Sequence, residues 1–240
     1  MRRGWLKSGI LARPTAQRLG STPVTYALSA GVGDVGLRGL QLARINSLEL
    51  GPLKLRNVPC LIKDPPLRNL PVKEAESLSP LSLGFSMIID YQSKKITSAS
   101  ISRPSPRRST CRYGCTVWRR CAAPWTAPTS RTSSWTTGGE VISISTATAT
   151  SLGRPEPVRR IALKVFGSSG WDKDAFLLPG VDLAFDAIHY ANFPVVVLNL
   201  DTPSALLGFQ LGGIVGHKFL SRYRVGIDLE KSVLRLKQTS

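Results

Sequence analysis

An internal repeat constrains the fold of this chain more than any other feature of its sequence. Residues 53–62 match residues 188–197 in the spacing of their apolar side chains and in an Asn-x-Pro triplet. Residues 86–96 match residues 224–234, and both contain an Ile-Asp pair followed by polar residues. A repeat of this kind predicts two related units, each ending in the same pair of strands.

The repeated segments also indicate the class of secondary structure. Their apolar runs are short, rich in β-branched residues and bounded by Gly, Pro and Asn, as is typical of strands and turns. We therefore predict a mostly β fold with two related lobes. The first lobe takes residues 1–97, a linking segment takes residues 98–136, and the remainder of the second lobe takes residues 137–240.

The formal net charge of +17 at first favours an anionic partner such as a nucleic acid. The excess is local, because no Asp or Glu occurs between Asp90 and Glu140. Seven arginines in that gap and five positive charges in residues 1–18 account for all but +5 of the total. We predict no nucleic-acid partner. A basic nucleic-acid binder stays as a third alternative, which salt-dependent binding would support.

Three of the four cysteines lie in the same gap, at Cys111, Cys115 and Cys121. Their spacing, C-x3-C-x5-C, matches no common zinc site. The sequence therefore predicts neither a metal nor a disulfide, and no cofactor.

The genetic code indicates that the acid-free gap is frameshifted. Trp is always TGG and Thr is always ACx, so the junction of Trp135 and Thr136 contains GAC, an Asp codon one base out of frame. The shifted frame permits F-I-V before this Asp, and T-G-G follows it. Trp125 and Thr126 again encode Asp in the shifted frame, within a permitted L-D-G turn. We place the upstream frame change between about Ile96 and Ser109.

An apolar run followed by D-T-G is the active-site motif of aspartic proteases. The chain resembles the bacterial retropepsin-like or pepsin-like members, in which a D-T-G lobe is duplicated. The resemblance covers most of residues 10–97 and 137–236. It rests on T-G-G-E-V-I-S at residues 137–143, on the segment 213–228, and on A-Q-R-L-G at residues 16–20. It implies an acid-protease fold of the closed-barrel type, which acts on a peptide or protein substrate.

The resemblance also assigns the site residues. The remnant of D-T-G consists of Thr136, Thr137 and Gly138, with Thr136 in the place of the aspartate. The brace behind the active-site loop consists of Ile214, Val215 and Gly216. In the first half, Glu76-Ser77-Leu78 stand where this brace should be. The first-lobe aspartate is absent, since residues 1–5 contain none, and we expect that the start is truncated.

Two glycine-rich turns are further candidates. The stretch from Gly31 to Gly36 lacks the Lys-Ser/Thr ending of a phosphate loop, and an alternating pattern follows it. We predict a hairpin that covers substrate as a flap, with Gly33 and Asp34 at its turn. Gly170 and Trp171 mark the equivalent hairpin of the second half, although a core or surface role for Trp171 is equally open.

Other polar residues are assigned structural roles. Asp90 and Asp228 end repeated strands, and the resemblance makes them structural. His189 and His217 lie beside apolar segments, where a structural or solvent-facing role is expected. No Ser/His/Asp order with supporting motifs is present.

These observations predict an aspartic-type endopeptidase family member that is inactive as written, because both catalytic Asp residues are absent. The main alternative is a non-catalytic β module that binds an extended peptide. No apolar run is long enough to span a membrane, and the oligomeric state is open. The residues do not indicate a location, whereas the resemblance implies export if a signal peptide was lost upstream.

The frameshifted segment leads to one prediction about folding. Residues 98–136 lack the alternation of a strand, so the opening strands of the second lobe should be missing or poorly ordered. Neighbouring strands would then expose an unpaired edge.

Overall fold

The computed structural model describes residues 9–64, 76–79, 83–98, 109–112, 116–120, 129–131, 133–135, 139–152, 161–185, 188–229, 231 and 233–238. Between residues 109 and 135 the description is limited to the backbone. The described residues form nineteen strands and four short helices. The prediction of a mostly β fold is confirmed.

The elements are named here in chain order. The first half contains β1 (Gly9–Ala12), α1 (Arg13–Arg18), β2 (Pro23–Ser29), β3 (Arg38–Leu50), β4 (Leu53–Lys63), β5 (Met87–Asp90) and β6 (Lys95–Ser98). The linking segment contains β7 (Ser109–Arg112), β8 (Thr116–Arg120), β9 (Thr129–Arg131) and β10 (Ser133–Trp135). The second half begins with β11 (Ser143–Ser145), α2 (Thr146–Ser151), β12 (Ile161–Ala162), β13 (Val165–Gly167) and β14 (Gly170–Asp172). It ends with β15 (Phe176–Phe185), β16 (Ile188–Leu198), α3 (Asp201–Leu207), β17 (Gly213–Val215), α4 (His217–Leu220), β18 (Tyr223–Asp228) and β19 (Val233–Gln238).

The first half forms a four-stranded sheet in the order β1-β4-β3-β2. β1 is parallel to β4, whereas β4, β3 and β2 are antiparallel neighbours. Helix α1 has Pro14 in its first turn, where a missing amide hydrogen costs nothing. It ends at Leu19, and Gly20 follows with a left-handed φ of 62°. Helix α1 therefore ends within the A-Q-R-L-G segment at residues 16–20.

The second half forms a larger sheet in the order β10-β17-β11-β16-β15-β8-β9, with β12 also paired to β15. Its β11 is parallel to β16, as β1 is to β4 in the first half. Each of these parallel strands leads directly into a six-residue helix, α2 or α1. The two halves therefore share the same order of strand, helix and hairpin.

The hairpins of the two halves also share their register. Gln41 lies opposite Ile62 in β3 and β4, and Phe176 lies opposite Val197 in β15 and β16. The Asn of each repeated Asn-x-Pro has a positive φ, 58° at Asn57 and 55° at Asn192. Asn tolerates this left-handed conformation better than other residues with a Cβ.

A five-stranded sheet, β6-β5-β18-β19-β7, joins the halves. At its centre β5 and β18 are antiparallel, and Ile88 lies opposite Gly226. The outer hairpins again agree in register, since Ile89 pairs with Ile96 and Ile227 pairs with Leu234.

The main core lies between this joining sheet and the second-half sheet. It includes Met87 and Ile89 from the first half, together with Phe185, Phe219 and Leu234 from the second. Burying one such side chain contributes about 1.5–3 kcal/mol. The first half has a much smaller cluster under α1, made of Leu11, Ala16, Ala43, Cys60 and Ile62. The second half therefore contains most of the core.

Two expectations about the fold are wrong. The described strands form open sheets, and none of these sheets closes into the expected barrel. The linking segment does form strands, and β7, β8 and β10 pair with β19, β15 and β17. Backbone amides and carbonyls supply these ladders whatever the side-chain pattern is, so the edges of β15, β17 and β19 are paired.

Candidate active site

The candidate site lies where β10 ends. Strand β10 runs parallel to β17, with Trp135 opposite Val215. Thr136, Thr137 and Gly138 follow Trp135 in the chain and lie outside the described residues. The next described residue, Gly139, begins a loop that leads into β11. On its other side β17 pairs with β11. Strand β17 therefore lies between β10, which precedes the remnant of D-T-G, and β11, which follows it.

Gly216 lies against the loop that follows this remnant. A Cβ at position 216 would be 2.6 Å from the carbonyl oxygen of Gly139 and 2.5 Å from that of Val141. Real Cβ atoms do not approach backbone atoms so closely, so only glycine fits here. Val215 is fully buried, and Ile214 packs beside the satellite cluster that contains Leu198 and Leu211.

Hydrogen bonds fix the same loop to the start of α4. The amide of His217 donates to the carbonyl of Gly139 at 2.5 Å, and the amide of Lys218 donates to that of Glu140 at 2.9 Å. Both donors belong to the first turn of a helix, where backbone amides have no partner within the helix. These two bonds between the loop after the remnant and α4 join backbone groups only, so they do not depend on the identity of the side chains.

A buried hydroxyl pair fixes the other end of β17. The Ser145 amide and the Thr148 hydroxyl both donate to the carbonyl of Gly212, at 2.8 and 2.9 Å. Ser145 also caps α2, since its side-chain oxygen accepts from the Thr148 amide at 3.0 Å. Both side chains are about 1% exposed. They couple the start of α2 to the start of β17.

Among the described residues of the first half, the counterpart of this pairing is a single bridge. Ile10 donates to Ser77 at 2.7 Å and accepts from it at 3.0 Å. Ile10 corresponds to Ser143, which lies opposite Ile214 in the second half. Ser77 therefore corresponds to Ile214. The sequence match aligned Glu76 with Ile214, so the bridge lies one residue later in the chain than this match predicts. The sequence match failed because this segment has no apolar pair or glycine to fix the register.

The two predicted hairpin turns lie in contact with each other. The Ser169 amide donates to the carbonyl of Val32, and the Val35 amide donates to the carbonyl of Ser169, both at 2.9 Å. Val32 also packs against the satellite cluster of the second half, beside Val165 and Leu177. The first-half turn is therefore attached to the second half by backbone bonds and by one apolar side chain.

Side chains add two further bonds to this contact. A carboxylate oxygen of Asp34 accepts from the Trp171 amide at 3.2 Å, and Arg38 donates to the carbonyl of Ser168 at 2.5 Å. A Cβ at Gly33 would lie 2.3 Å from the backbone of Ser169. The indole of Trp171 packs edge-on against Phe166 at 5.1 Å. The structure thus brings Gly33 and Asp34 together with Gly170 and Trp171.

No described carboxylate takes the place of the missing aspartates. Glu140 is the carboxylate nearest the remnant in sequence, but its side chain is 80% exposed and lies 3.3 Å from Lys218. The ring of His217 packs edge-on against Tyr91 at 5.0 Å, and burial raises the pKa of the Tyr91 hydroxyl. Among the described residues, no group of His, Cys, Asp and Glu is arranged to hold a metal ion.

Asp90 and Asp228 lie at the ends of the equivalent strands β5 and β18, and both make local bonds. Asp90 accepts from the Gln92 and Ser93 amides at 3.1 Å, and the bond from Ser93 is the main reason why its pKa is lowered. Asp228 forms a buried ion pair with Arg235 at 2.9 Å. Burial alone would raise the pKa of Asp228, but bonds from Lys231 and Arg235 hold it below its ordinary value. Both carboxylates stabilise turns, as a structural role requires.

Sequence reasoning missed several of these residues. Ser145 precedes a helix as an N-cap residue does, which is a signal that the sequence offers. Thr148 and Arg38 carry no such signal, because their partners Gly212 and Ser168 are distant in the chain.

No protein-family model and no curated protein matches the chain. Among solved structures, the chain is similar to an aspartic proteinase from Irpex lacteus, with 12% identity and a TM-score of 0.49. The match covers 92% of this chain and 83% of the other. A likeness of this size does not show what the chain does.

In the part of the chain that the structure describes, none of the helices combines the length and the apolar character that crossing a bilayer requires.

Proposed function

We propose that this chain is an aspartic-endopeptidase-type protein with two duplicated lobes, 1–97 and 137–240, joined by the frameshifted segment 98–136. The contact of Gly216 with the loop at residues 139–141 carries the proposal. An apolar-apolar-Gly segment that passes behind the loop after a T-G sequence is the arrangement that the sequence motif predicts. The common register of the two halves around Ile88 and Gly226 supports the duplication.

The same proposal holds that the polypeptide does not hydrolyse peptides. Aspartic proteases use two carboxylates about 3 Å apart, which share one proton because both cannot ionise together. One carboxylate activates water and the other protonates the leaving amide. Thr136 stands in one of these places, and a threonine hydroxyl is no general base near neutral pH. The sequence before Asp34 contains no aspartate for the other place.

A peptide-digestion assay tests this proposal. The purified chain is incubated with a mixed peptide library from about pH 3 to about pH 7, with and without pepstatin. We expect no pepstatin-sensitive cleavage. Pepstatin-sensitive cleavage that is unchanged in Thr136→Ala would overturn the assignment of position 136, since the catalytic group would then lie elsewhere.

A second candidate function is peptide binding without cleavage, favoured by the contact between the two hairpin turns. In this candidate Gly33, Asp34, Gly170 and Trp171 act as flaps over an extended peptide. Calorimetric titration with pepstatin and with apolar peptides tests it, and Asp34→Ala provides the matched variant. Binding that Asp34→Ala weakens would support flaps, whereas the absence of heat change with every peptide would exclude this candidate.

A further inference from the structure

A groove of about 400 Å³ runs along α3 in the second half, and we name it the α3 groove. Its lining consists of Asp201, Ser204, Ala205, Gly208, Phe209 and Gln210. The first four stand at positions i, i+3, i+4 and i+7, so they share one face of the helix. Ala205 has a small side chain and Gly208 has none, which leaves space between Asp201 at one end and Phe209 at the other.

The floor of the α3 groove is fixed by buried bonds. Ser204 is buried, and its hydroxyl donates to the carbonyl of Leu200 at 2.5 Å and accepts from the Leu211 amide at 3.0 Å. Leu207 of the same helix packs against the satellite cluster, to which Leu200 and Leu211 also belong. The groove is therefore formed before a ligand binds, which lowers the entropic cost of binding.

The α3 groove contains one charged side chain, that of Asp201. The Asp201 amide donates to the side-chain oxygen of Asn199 at 2.9 Å, but no residue in the described part of the chain bonds to the Asp201 carboxylate. The carboxylates of Asp34, Asp90 and Asp228, in contrast, all accept bonds within the chain. A carboxylate without a partner favours a cationic donor as its ligand.

The other end of the α3 groove is apolar, since the ring of Phe209 is 38% exposed. An α-helix rises about 1.5 Å per residue, so Asp201 and Gly208 lie about 10 Å apart. A single cationic group cannot contact both ends, and a ligand that fills the groove needs a cation and an apolar group. Alternate residues of an extended peptide lie on one side and about 7 Å apart. An arginine side chain spans the remaining distance, and its planar guanidinium matches a carboxylate.

We propose that the α3 groove binds an extended peptide segment in which one residue separates an arginine from an apolar residue. The guanidinium pairs with Asp201, and the apolar side chain contacts Phe209. Asp201 would repel an acidic peptide or a phosphate, so charge selects against both. The inference does not depend on the proposed function, because it involves neither the remnant at residues 136–138 nor the two hairpin turns.

Titration of the ¹⁵N-labelled full chain, followed by nuclear magnetic resonance, tests the inference. The probes are acetyl-Leu-Ala-Arg-amide and acetyl-Arg-Ala-Leu-amide. We expect saturable shift changes at the amides of Ala205, Gly208 and Phe209 with at least one of them. Citrulline in place of arginine removes the charge and should raise the dissociation constant about fivefold. Asp201→Asn should have the same effect on the arginine peptide and little effect on the citrulline peptide, because both changes remove one ion pair.

Two further variants locate the site. Ala205→Leu fills the groove without changing its charge and should abolish binding. Asp174→Asn is the matched control, since Asp174 is an exposed carboxylate of the same half outside the groove lining, and it should leave the dissociation constant unchanged. Asp34→Ala should also leave it unchanged, which separates this site from flaps at the hairpin turns. Circular dichroism confirms that the variants are folded.

Three results would overturn the inference. The first is the absence of saturable shifts with both arginine peptides. The second is equal weakening by Asp174→Asn and Asp201→Asn, which would show a general attraction to negative charge. The third is undiminished binding to Ala205→Leu, which would place the peptide elsewhere on the chain.

Discussion

Ile88 of β5 and Gly226 of β18 lie directly opposite each other. The two residues occupy equivalent positions in the repeated segments 86–96 and 224–234. A pair of equivalent residues in antiparallel strands marks a local two-fold axis. The hairpins on either side agree, because Ile89 pairs with Ile96 as Ile227 pairs with Leu234. The repeat in the sequence is therefore a repeat in the pairing of strands, and the halves meet at its centre.

The contact at Gly216 predicts a large cost for adding a single methyl group. Gly216→Ala should lower the free energy of unfolding by about 1–3 kcal/mol, because its Cβ would overlap the carbonyls of Gly139 and Val141. Urea denaturation measures the change. Gly39→Ala is the control, since a Cβ there meets no atom within 4 Å. Equal effects at the two positions would refute the role of close packing at Gly216.

The buried ion pair of Asp228 with Arg235 predicts a second loss of stability. Their side chains are 5% and 7% exposed, and removing one partner of such a pair typically costs about 3–5 kcal/mol. Asp228→Ala should approach that cost in denaturant titrations. Asp90→Ala at the equivalent place should cost less, because the Asp90 side chain is 24% exposed and lies 3.8 Å from Arg224. A larger loss for Asp90→Ala would contradict the prediction.

The lowered pKa of Asp228 also predicts the direction of a pH effect. Its ordinary value is 3.8, and the folded chain holds it below that value. The folded state therefore binds fewer protons, so this stabilisation is complete above the ordinary pKa and is lost as pH falls through the folded pKa. Denaturation midpoints measured below about pH 4 should fall more steeply for the natural chain than for Asp228→Asn. Parallel curves would show that Asp228 does not contribute.

The contact between the hairpin turns predicts a local effect on backbone protection. Asp34→Ala removes the acceptor of the Trp171 amide, and losing one hydrogen bond corresponds to about 1 kcal/mol. Hydrogen exchange at Trp171 should become about fivefold faster. Asp34→Asn retains a side-chain oxygen and should preserve most of the protection. If both variants exchange at the natural rate, the Asp34 bond is not formed in solution.

The two left-handed asparagines predict matching effects in the two halves. Alanine at position 57 or 192 would adopt a left-handed φ near 55–58° without a polar side chain that can bond to the local backbone. Each change should lower the free energy of unfolding, measured by urea titration, by about 1 kcal/mol. Asn57→Gly and Asn192→Gly should be close to neutral, since glycine adopts this conformation freely. A neutral Asn192→Ala beside a costly Asn57→Ala would show that the two positions are not equivalent.

The sequence determined the class of fold and its repeat. Short apolar, β-branched runs bounded by Gly, Pro and Asn indicate strands locally, which is why the strands at residues 53–62 and 188–197 were predictable. The same local chemistry indicated the strand ends at Asp90 and Asp228. It also pointed to the segment around Gly216 through its apolar-apolar-Gly pattern.

Only the tertiary structure decided which distant groups meet. It paired β10 with β17, although residues 133–135 show no strand pattern. It also placed the first-half bridge at Ser77, whereas the sequence match predicts Glu76. It also joined the turn at Asp34 to the turn at Trp171. Such contacts depend on backbone hydrogen bonds between segments far apart in the chain, and backbone groups are the same for every residue type apart from proline.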